Sequence, residues 1–380
     1  MSIRVLHLID SGGLYGAEKM LLTLVAEQIK QGLAPMILSA GEPGHPEKPI
    51  EAEAKRLGLP VTPWRMKPGF NRTEARKIIR WAKSDGFQLL HSHGYKFNVL
   101  MGLWPESIRS LPLITTLHGY IKAPRFTKSW LYESVDRLAL NQMRAVVLVS
   151  DAMKQQIPKA VAESGKVAVI PNGLDIEAVR IKAQKPIDGV FTEFFGKHSP
   201  VVLGVGRLSP EKGFESLIRV FSRLRESYPN AGLIIIGEGA MRTTLERQAK
   251  ELNLSSSLLL PGYYNEVPAL MALADIICMP SRTEGLPITL LEAMAVGVPI
   301  LATDVGEIGR VLGKVQGSAQ GGAILPPEDD AALFEGLNTV MSNPEAMDEA
   351  KAWSRERVQA DYSSDAMTRR YSSVYQQALG

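Results

Sequence analysis

Apolar residues along this chain gather in short runs, and most runs end in glycine, histidine, serine or asparagine. Between the runs lie stretches with helical spacing. The first run covers residues 3–9, and Ser11-Gly12-Gly13-Leu14-Tyr15-Gly16 follows it as a turn. Residues 17–31 then place Met20, Leu21, Leu24 and Val25 at the period of a helix. Residues 35–40 read as the next strand. A strand, a turn, a helix and another strand predict a parallel sheet.

The alternation continues. Residues 72–84 are predicted helical, and 89–92 form a strand ending in His91-Ser92-His93-Gly94. Strands at 113–117, 145–150 and 167–170 end in His118-Gly119, Ser150 and Pro171-Asn172-Gly173. A short helix starts at Asp151. Residues 183–198 hold Pro186, Gly189 and Gly196 without a clean period, which predicts a linker there. A second set of strands follows at 201–205, 232–236, 257–260, 274–279 and 300–303, with a helix at 214–226. Residues 345–377 are mostly helical. The predicted fold class is α/β, with two tandem Rossmann-like doubly wound domains. The predicted division is 1–185, 199–355 and a terminal helical segment, 356–380. In such sheets ligands bind outside the carboxyl ends of the strands, and a cleft between the domains would collect those ends.

Composition narrows the class. The chain has 380 residues, 45% apolar and 22% charged, which fits a two-domain globular protein and excludes a disordered chain, a collagen or a coiled-coil rod. A single cysteine, Cys278, excludes a disulfide framework and a cysteine zinc cluster. The opening MSIRVLHLID has too short an apolar run for a signal peptide, and no stretch is long and apolar enough for a membrane span. The expectation is a soluble, cytoplasmic protein. The net charge of +3 hides an asymmetry. Residues 1–198 carry 27 Lys+Arg against 18 Asp+Glu, and residues 199–380 carry 16 against 22. A basic first half suits an anionic partner such as a membrane face, a phosphorylated lipid or a nucleic acid.

Several chemistries fail on spacing. No turn completes G-x-G-x-x-G, since Ser209 and Arg242 stand at the third position in two of them and Ser11 at the first position in another. No P-loop, H-E-x-x-H or G-x-S-x-G is present. His91 and His93 share a strand face, but no third ligand is apparent, so no metal site is expected.

Three motifs remain. Gly206-Arg207-Leu208-Ser209-Pro210-Glu211-Lys212-Gly213 puts two cations at a strand end before a helix. An arginine fork, a lysine point charge and a helix N-terminus suit a diphosphate. Gly12 and Gly13 would let backbone amides approach an anion. Thr283-Glu284-Gly285-Leu286-Pro287 opens a helix that carries Glu292 among Leu290, Leu291, Ala293, Met294 and Ala295. A carboxylate in so apolar a run needs a partner, and sugar or ribose hydroxyls would serve.

Gly206-Arg207 with Glu211-Lys212-Gly213, Pro280-Ser281-Arg282-Thr283-Glu284-Gly285, Glu292-Ala293-Met294-Ala295 and Gly297-Val298-Pro299 resemble the retaining glycosyltransferases of family 4, with the GT-B fold. Seven residues separate Glu284 from Glu292, as in the family's E-x7-E. Ile170-Pro171-Asn172-Gly173 and Gly12-Gly13 with Gly16-Ala17-Glu18 match the same family, so the resemblance covers nearly the whole chain.

The resemblance implies a nucleotide-sugar donor held mainly by the C-terminal domain. Arg207 and Lys212 would hold its diphosphate, Glu284 its sugar and Glu292 its ribose. Amides near Gly285 and Leu286 would assist, and Gly12 and Gly13 would close over the donor. His118 matches the family's histidine near the anomeric carbon. It would position the sugar rather than act as a general base. The implied reaction retains anomeric configuration by front-face attack, needs no metal and uses no cofactor. The last helix would pack on the N-terminal domain, which would bind the acceptor.

His93, Tyr95, Lys96 and Tyr120 follow N-terminal strands and are the candidate acceptor contacts. Aromatics and cations in 120–128, with Arg72, Arg76 and Arg80 on one helix face, suit a glycan, lipid-linked or phosphorylated acceptor and weak contact with a membrane. The leading expectation is a UDP-sugar enzyme of surface polysaccharide or glycolipid synthesis, with GDP-mannose as the other donor. A nucleotide-sugar epimerase or a nucleotide-binding module without catalysis are the alternatives. A nucleic-acid partner is disfavoured, because the strand ends are committed to a small ligand.

Overall fold

A computed structural model describes the chain except for Met1, Ser11, Pro68, Phe70 and residues 119–127, and describes only the backbone of residues 128–133. The chain forms two compact units. Unit 1 is Met1–Gly173 with Ser364–Gly380, and unit 2 is Leu174–Ser363.

Unit 1 holds a sheet of seven strands: β1 (Arg4–Ile9), β2 (Ala34–Gly41), β3 (Val61–Arg65), β4 (Leu89–Ser92), β5 (Leu113–Leu117), β6 (Ala145–Leu148) and β7 (Val167–Val169). Their order is β3-β2-β1-β4-β5-β6-β7, and every pairing is parallel. Helices cover both faces, so the strands read as nearly unbroken apolar runs. Alternation along β1 sends Leu6 and Leu8 to one core, and Val5 and Ile9 to the opposite face. His7 shares the face of Val5 and is fully buried. The helices Gly16–Lys30 and Ser364–Leu379 cover that face. The second buries Met367, Tyr371, Val374, Tyr375 and Ala378, which recur at helical spacing.

Unit 2 holds six parallel strands: β8 (Val201–Val205), β9 (Gly232–Ile236), β10 (Leu258–Gly262), β11 (Ile276–Met279), β12 (Ile300–Thr303) and, after a small hairpin of β13 (Lys314–Val315) and β14 (Ser318–Ala319), β15 (Ala323–Leu325). The order is β10-β9-β8-β11-β12-β15.

The predicted linker is corrected. Residues 183–198 lie in unit 2 and contain the helix Gly189–Lys197, which buries Phe191 and Phe194. Gly189 and Gly196 sit near its ends, where glycine costs little, so they punctuate the helix without breaking it. The units exchange chain at 173/174 and 363/364, so residues 356–363 also belong to unit 2. β3 does not stand out in the apolar pattern because Pro63 interrupts it. Proline is tolerated there because β3 is an edge strand. By these units the charge asymmetry sharpens: unit 1 carries 25 Lys+Arg and 15 Asp+Glu, and unit 2 carries 18 and 25. Among the described residues, no helix is long and apolar enough to cross a membrane.

Candidate functional site

Each sheet has a point where neighbouring strands lead their connections in opposite directions. In unit 2 that point lies between β8 and β11. A crevice opens there at the carboxyl ends. The loop after β8 is Gly206–Gly213 and the loop after β11 begins at Pro280, so two of the predicted motifs meet at this place. Lys212 Nζ donates to Glu284 Oε1 at 2.6 Å, and Ser281 Oγ donates to the same oxygen at 2.7 Å. Glu284 keeps only 8% of its side chain exposed and Lys212 keeps 20%. Arg207 differs. It is 74% exposed and its guanidinium lies 3.9 Å from Glu211, a loose pair at best. Arg207 is therefore free to turn toward an anion, while Lys212 is already anchored.

Backbone contact fixes these loops. Gly206 N–H donates to Ile236 O at 3.0 Å and Leu208 N–H to Glu238 O at 2.9 Å. Arg282 N–H donates to Glu211 O at 2.8 Å. A Cβ on Gly237 would stand 1.8 Å from Gly206 O, and φ there is +148°. Only glycine fits such an approach. The helix Ile288–Val296 follows, with Pro287 as its N-cap rather than inside its first turn. The amides of Gly285 and Leu286, just before it, donate to no protein acceptor among the described residues. Unpaired amides at a helix start attract an anion.

Glu292 lies on that helix, partly buried. Its carboxylate makes no hydrogen bond among the described residues. Burial pushes its pKa up, and Lys182 opposes the shift. The protein thus keeps a desolvated acceptor without an internal partner. Glu292→Gln is expected to raise the melting temperature, because it removes a charge that burial penalises. The same change should weaken nucleotide binding about tenfold to a hundredfold, the worth of one or two hydrogen bonds to a charged group. Calorimetric titration beside a thermal melt checks both. Unchanged affinity would remove Glu292 from the donor site.

In unit 1 the sheet order reverses between β1 and β4. Asp10 follows β1, and Lys48 and Lys96 donate to its two oxygens at 2.8 and 2.7 Å. The two lysines hold its carboxyl below the usual carboxylate range despite burial that raises it. Asp10, Gly12, Glu42, His45, Lys48 and Lys96 line an open pocket. Gly12 is exposed, and a Cβ there would meet open space, whereas a Cβ on Gly13 would strike the Tyr15 ring at 2.5 Å. Tyr95 is exposed at the start of the helix Tyr95–Gly102. Tyr120 lies outside the described residues.

His93 is corrected as a direct acceptor contact. It is 5% exposed, with Nε2 3.0 Å from His7 Nδ1 and Nδ1 3.3 Å from His118 Nε2. Both nitrogens are occupied inside the protein. His7 supplies a third imidazole beside His91 and His93, since one ligand atom from each of the three lies within 4.8 Å of the others. It was hidden inside an apolar run, and only the pairing of β1 with β4 sets His7 beside His91. His91 meets Tyr375 OH at 2.9 Å and Thr116 Oγ1 at 2.8 Å, and His7 Nε2 meets Gln28 Oε1 at 2.9 Å. All six ring nitrogens of the trio already have partners, so an ion would have to displace those bonds.

His118 ends this cluster. Its Nδ1 is buried and has no hydrogen-bond partner among the described residues. Burial lowers its pKa to about 4, against the opposing charge of Glu18. It is neutral at pH 7.

Two family models match the chain. One, Glycosyltransferase Family 4, covers residues 15–178, and the other, Glycosyl transferases group 1, covers residues 191–357. This chain is a family 4-type glycosyltransferase. The solved structure of Anabaena Alr3699/HepE in complex with UDP matches this glycosyltransferase with a TM-score of 0.77 at 20% identity, over 98% of this chain and 100% of that one, which shows the GT-B fold. The chain is similar to the UDP-Gal:alpha-D-GlcNAc-diphosphoundecaprenol alpha-1,3-galactosyltransferase of Escherichia coli, at 25% identity over 60% of each protein. It is also similar to a GDP-mannose-dependent monoacylated alpha-(1-6)-phosphatidylinositol monomannoside mannosyltransferase of Corynebacterium glutamicum, at 30% identity over 54% of this chain and 55% of that protein. The matches to these two relatives therefore span under two thirds of their lengths.

Proposed function

We propose that this glycosyltransferase moves a sugar, with retention, from a nucleotide-diphosphate sugar to an acceptor hydroxyl in the synthesis of a surface glycan or glycolipid. The reading rests on one arrangement above all: a free Arg207 beside the anchored Lys212–Glu284 pair at the reversal point of the unit 2 sheet. A departing diphosphate gains negative charge as the sugar–oxygen bond breaks. The anchored Lys212, the free Arg207 turned onto the diphosphate and the amides of Gly285 and Leu286 lower that barrier without any resident metal or cofactor. Glu284 meets the sugar and Glu292 the ribose. In unit 1, His118 follows β5 and the turn at Gly12 and Gly13 follows β1, and in this reading both serve substrate binding.

The bond between the anomeric carbon and the diphosphate oxygen breaks. A new bond to the acceptor oxygen forms on the same face, and the acceptor proton leaves with the diphosphate. UDP is the favoured base, because a UDP-bound neighbour and a UDP-galactose-dependent relative support it, and GDP-mannose is the other candidate. A panel of UDP-hexoses with a diphosphate-lipid glycan as acceptor tests the reading. Proton NMR of the product should show the donor's own anomeric configuration. An inverted product would overturn it.

The acceptor is lipid-linked or phosphorylated in this reading, with Tyr95 and Lys96 as contacts. The helix Arg72–Ser84 exposes Arg72, Arg76, Lys77, Arg80 and Lys83, and Arg76 lies 4.9 Å over the Trp104 ring. Beside it, Arg72, Val99, Leu100, Leu103 and Trp104 line an apolar groove. Basic side chains around an apolar patch suit the face of an anionic bilayer. Anionic vesicles should therefore sediment the protein at low salt and release it at about 0.5 M salt, where charges are screened within a few ångströms. Equal recovery with neutral vesicles would contradict this.

A further inference from the structure

Lys212 ends a single 3-10 turn of three residues, Pro210–Lys212. So short a turn has little stability of its own and keeps its shape through contacts outside it. Those contacts divide the loop after β8 into two halves. Residues 206–208 are tied to the β9 side. Gly206 N–H donates to Ile236 O, Leu208 N–H donates to Glu238 O, and Met241 N–H donates to Leu208 O at 2.9 Å. Residues 210–213 are tied to the β11 side. Arg282 N–H donates to Glu211 O at 2.8 Å. A Cβ on Gly213, at φ +66°, would stand 2.1 Å from Pro280 O, so the two loops touch there as well.

The Arg282 side chain adds a further tie. Its Nη1 donates to Pro210 O at 2.8 Å. The same nitrogen lies 3.4 Å from Glu215 Oε1, in the first turn of the helix Phe214–Ser227. Its Nε lies 3.2 Å from Glu328 Oε1, in the loop after β15. The planar fork thus reaches three segments at once, which the point charge of a lysine does not. Two carboxylates hold the guanidinium, and the guanidinium holds the carbonyl that opens the turn. Backbone and side chain of Arg282 together grip two successive carbonyls, those of Pro210 and Glu211, immediately before Lys212.

We propose that Arg282 is a positioning residue for nucleotide binding: it fixes the Pro210–Lys212 turn, and so sets the Lys212 ammonium against Glu284, while Arg207 is held independently from the β9 side. The effect on nucleotide rests on the reading above that unit 2 holds a nucleotide diphosphate; the tethering of the turn does not. The division of the loop makes the role specific. A residue that merely supported unit 2 would weaken the contributions of both cations, whereas Arg282 acts through Lys212.

Calorimetric titration with UDP, or with GDP if that is the nucleotide bound, tests this on the full chain as a pair of double-mutant cycles. Arg282→Ala should weaken binding about tenfold, the worth of one hydrogen bond from a charged group. The same loss should recur in the Arg207→Ala background and shrink to under about twofold in the Lys212→Ala background, since only coupled residues depart from additivity. Equal losses in the two backgrounds overturn the proposal. Amide hydrogen exchange of the nucleotide-free protein is the second readout. The amides of Lys212 and Gly213 bond within the turn, to Ser209 O at 3.0 Å and Pro210 O at 3.3 Å. Arg282→Ala should speed exchange at both and leave Gly206 and Leu208 unchanged. Unchanged exchange at Lys212 and Gly213 also overturns the proposal. Arg282→Ala deprives Glu215 of its cation, so if that variant does not fold, the same cycles are run with Glu215→Gln added throughout. If exchange responds as expected but the unsubstituted protein binds neither nucleotide, the reading of unit 2 as a donor site fails instead.

Discussion

Arg207→Ala lowers kcat/KM for sugar transfer by about 10²–10³-fold, the usual cost of removing one fixed charge-stabilising donor from a transition state. The fold barely notices. Arg207 is 74% exposed and paired only loosely with Glu211, so stability stays within about 0.5 kcal/mol. Lys212→Ala causes a similar loss of rate but also destabilises unit 2. It leaves Glu284, 8% exposed, with Ser281 as its remaining side-chain partner. Breaking a fully buried pair costs about 3–5 kcal/mol, and the partial exposure of Lys212 reduces that to about 1–3 kcal/mol. Glu284→Gln in the Lys212→Ala background should recover most of the stability and none of the rate. Kinetics and urea melts on the three variants separate the anchoring of Glu284 from the binding of diphosphate. Near-normal rates in both single variants would remove the two cations from the donor site.

The second large effect is acid sensitivity of unit 1. His7 and His118 have pKa values of about 4 in the folded protein, against 6.5 for a free histidine, because burial penalises the imidazolium. His91 and His93 are lowered well below 6.5 for the same reason, and neighbouring histidines add to it. Between pH 6.5 and about 4 the unfolded chain binds protons that the folded unit refuses. Stability therefore falls as pH drops through that window and is flat above it. Each such histidine contributes about 1.4 kcal/mol per pH unit, so His7 and His118 together give about 3 kcal/mol per unit. His91 and His93 steepen the slope further. Urea unfolding at pH 7.5, 6.5 and 5.5 should show little change over the first step and a large loss over the second. Equal stability at pH 6.5 and 5.5 would mean that the cluster is already charged or solvated.

What the sequence revealed was local. Val201–Val205 and Leu113–Leu117 read as strands because buried parallel strands are continuous apolar runs bounded by polar ends. Glu292 stood out because a carboxylate among leucines and alanines has no local partner. What stayed hidden depends on pairing across the chain. Lys212 meets Glu284 from 72 positions away, and Tyr375 meets His91 from 284. His7 looks like one polar interruption in an apolar run until β1 and β4 set it beside His91. His93 resembled an exposed strand-end residue for the same reason, whereas its neighbours bury it. The helix Gly189–Lys197 was obscured by glycines at its ends, and β3 by a proline that an edge strand tolerates.

The central claim is a nucleotide-diphosphate sugar site on unit 2. The most direct measurement is thermal stability with UDP, GDP, ADP and CMP, on the unsubstituted protein and on Arg207→Ala. A nucleotide at 100 times its Kd adds about 2.7 kcal/mol to the folded state. The account predicts a rise in melting temperature with UDP that Arg207→Ala largely loses. A shift with no nucleotide, or a UDP shift untouched by Arg207→Ala, would contradict it.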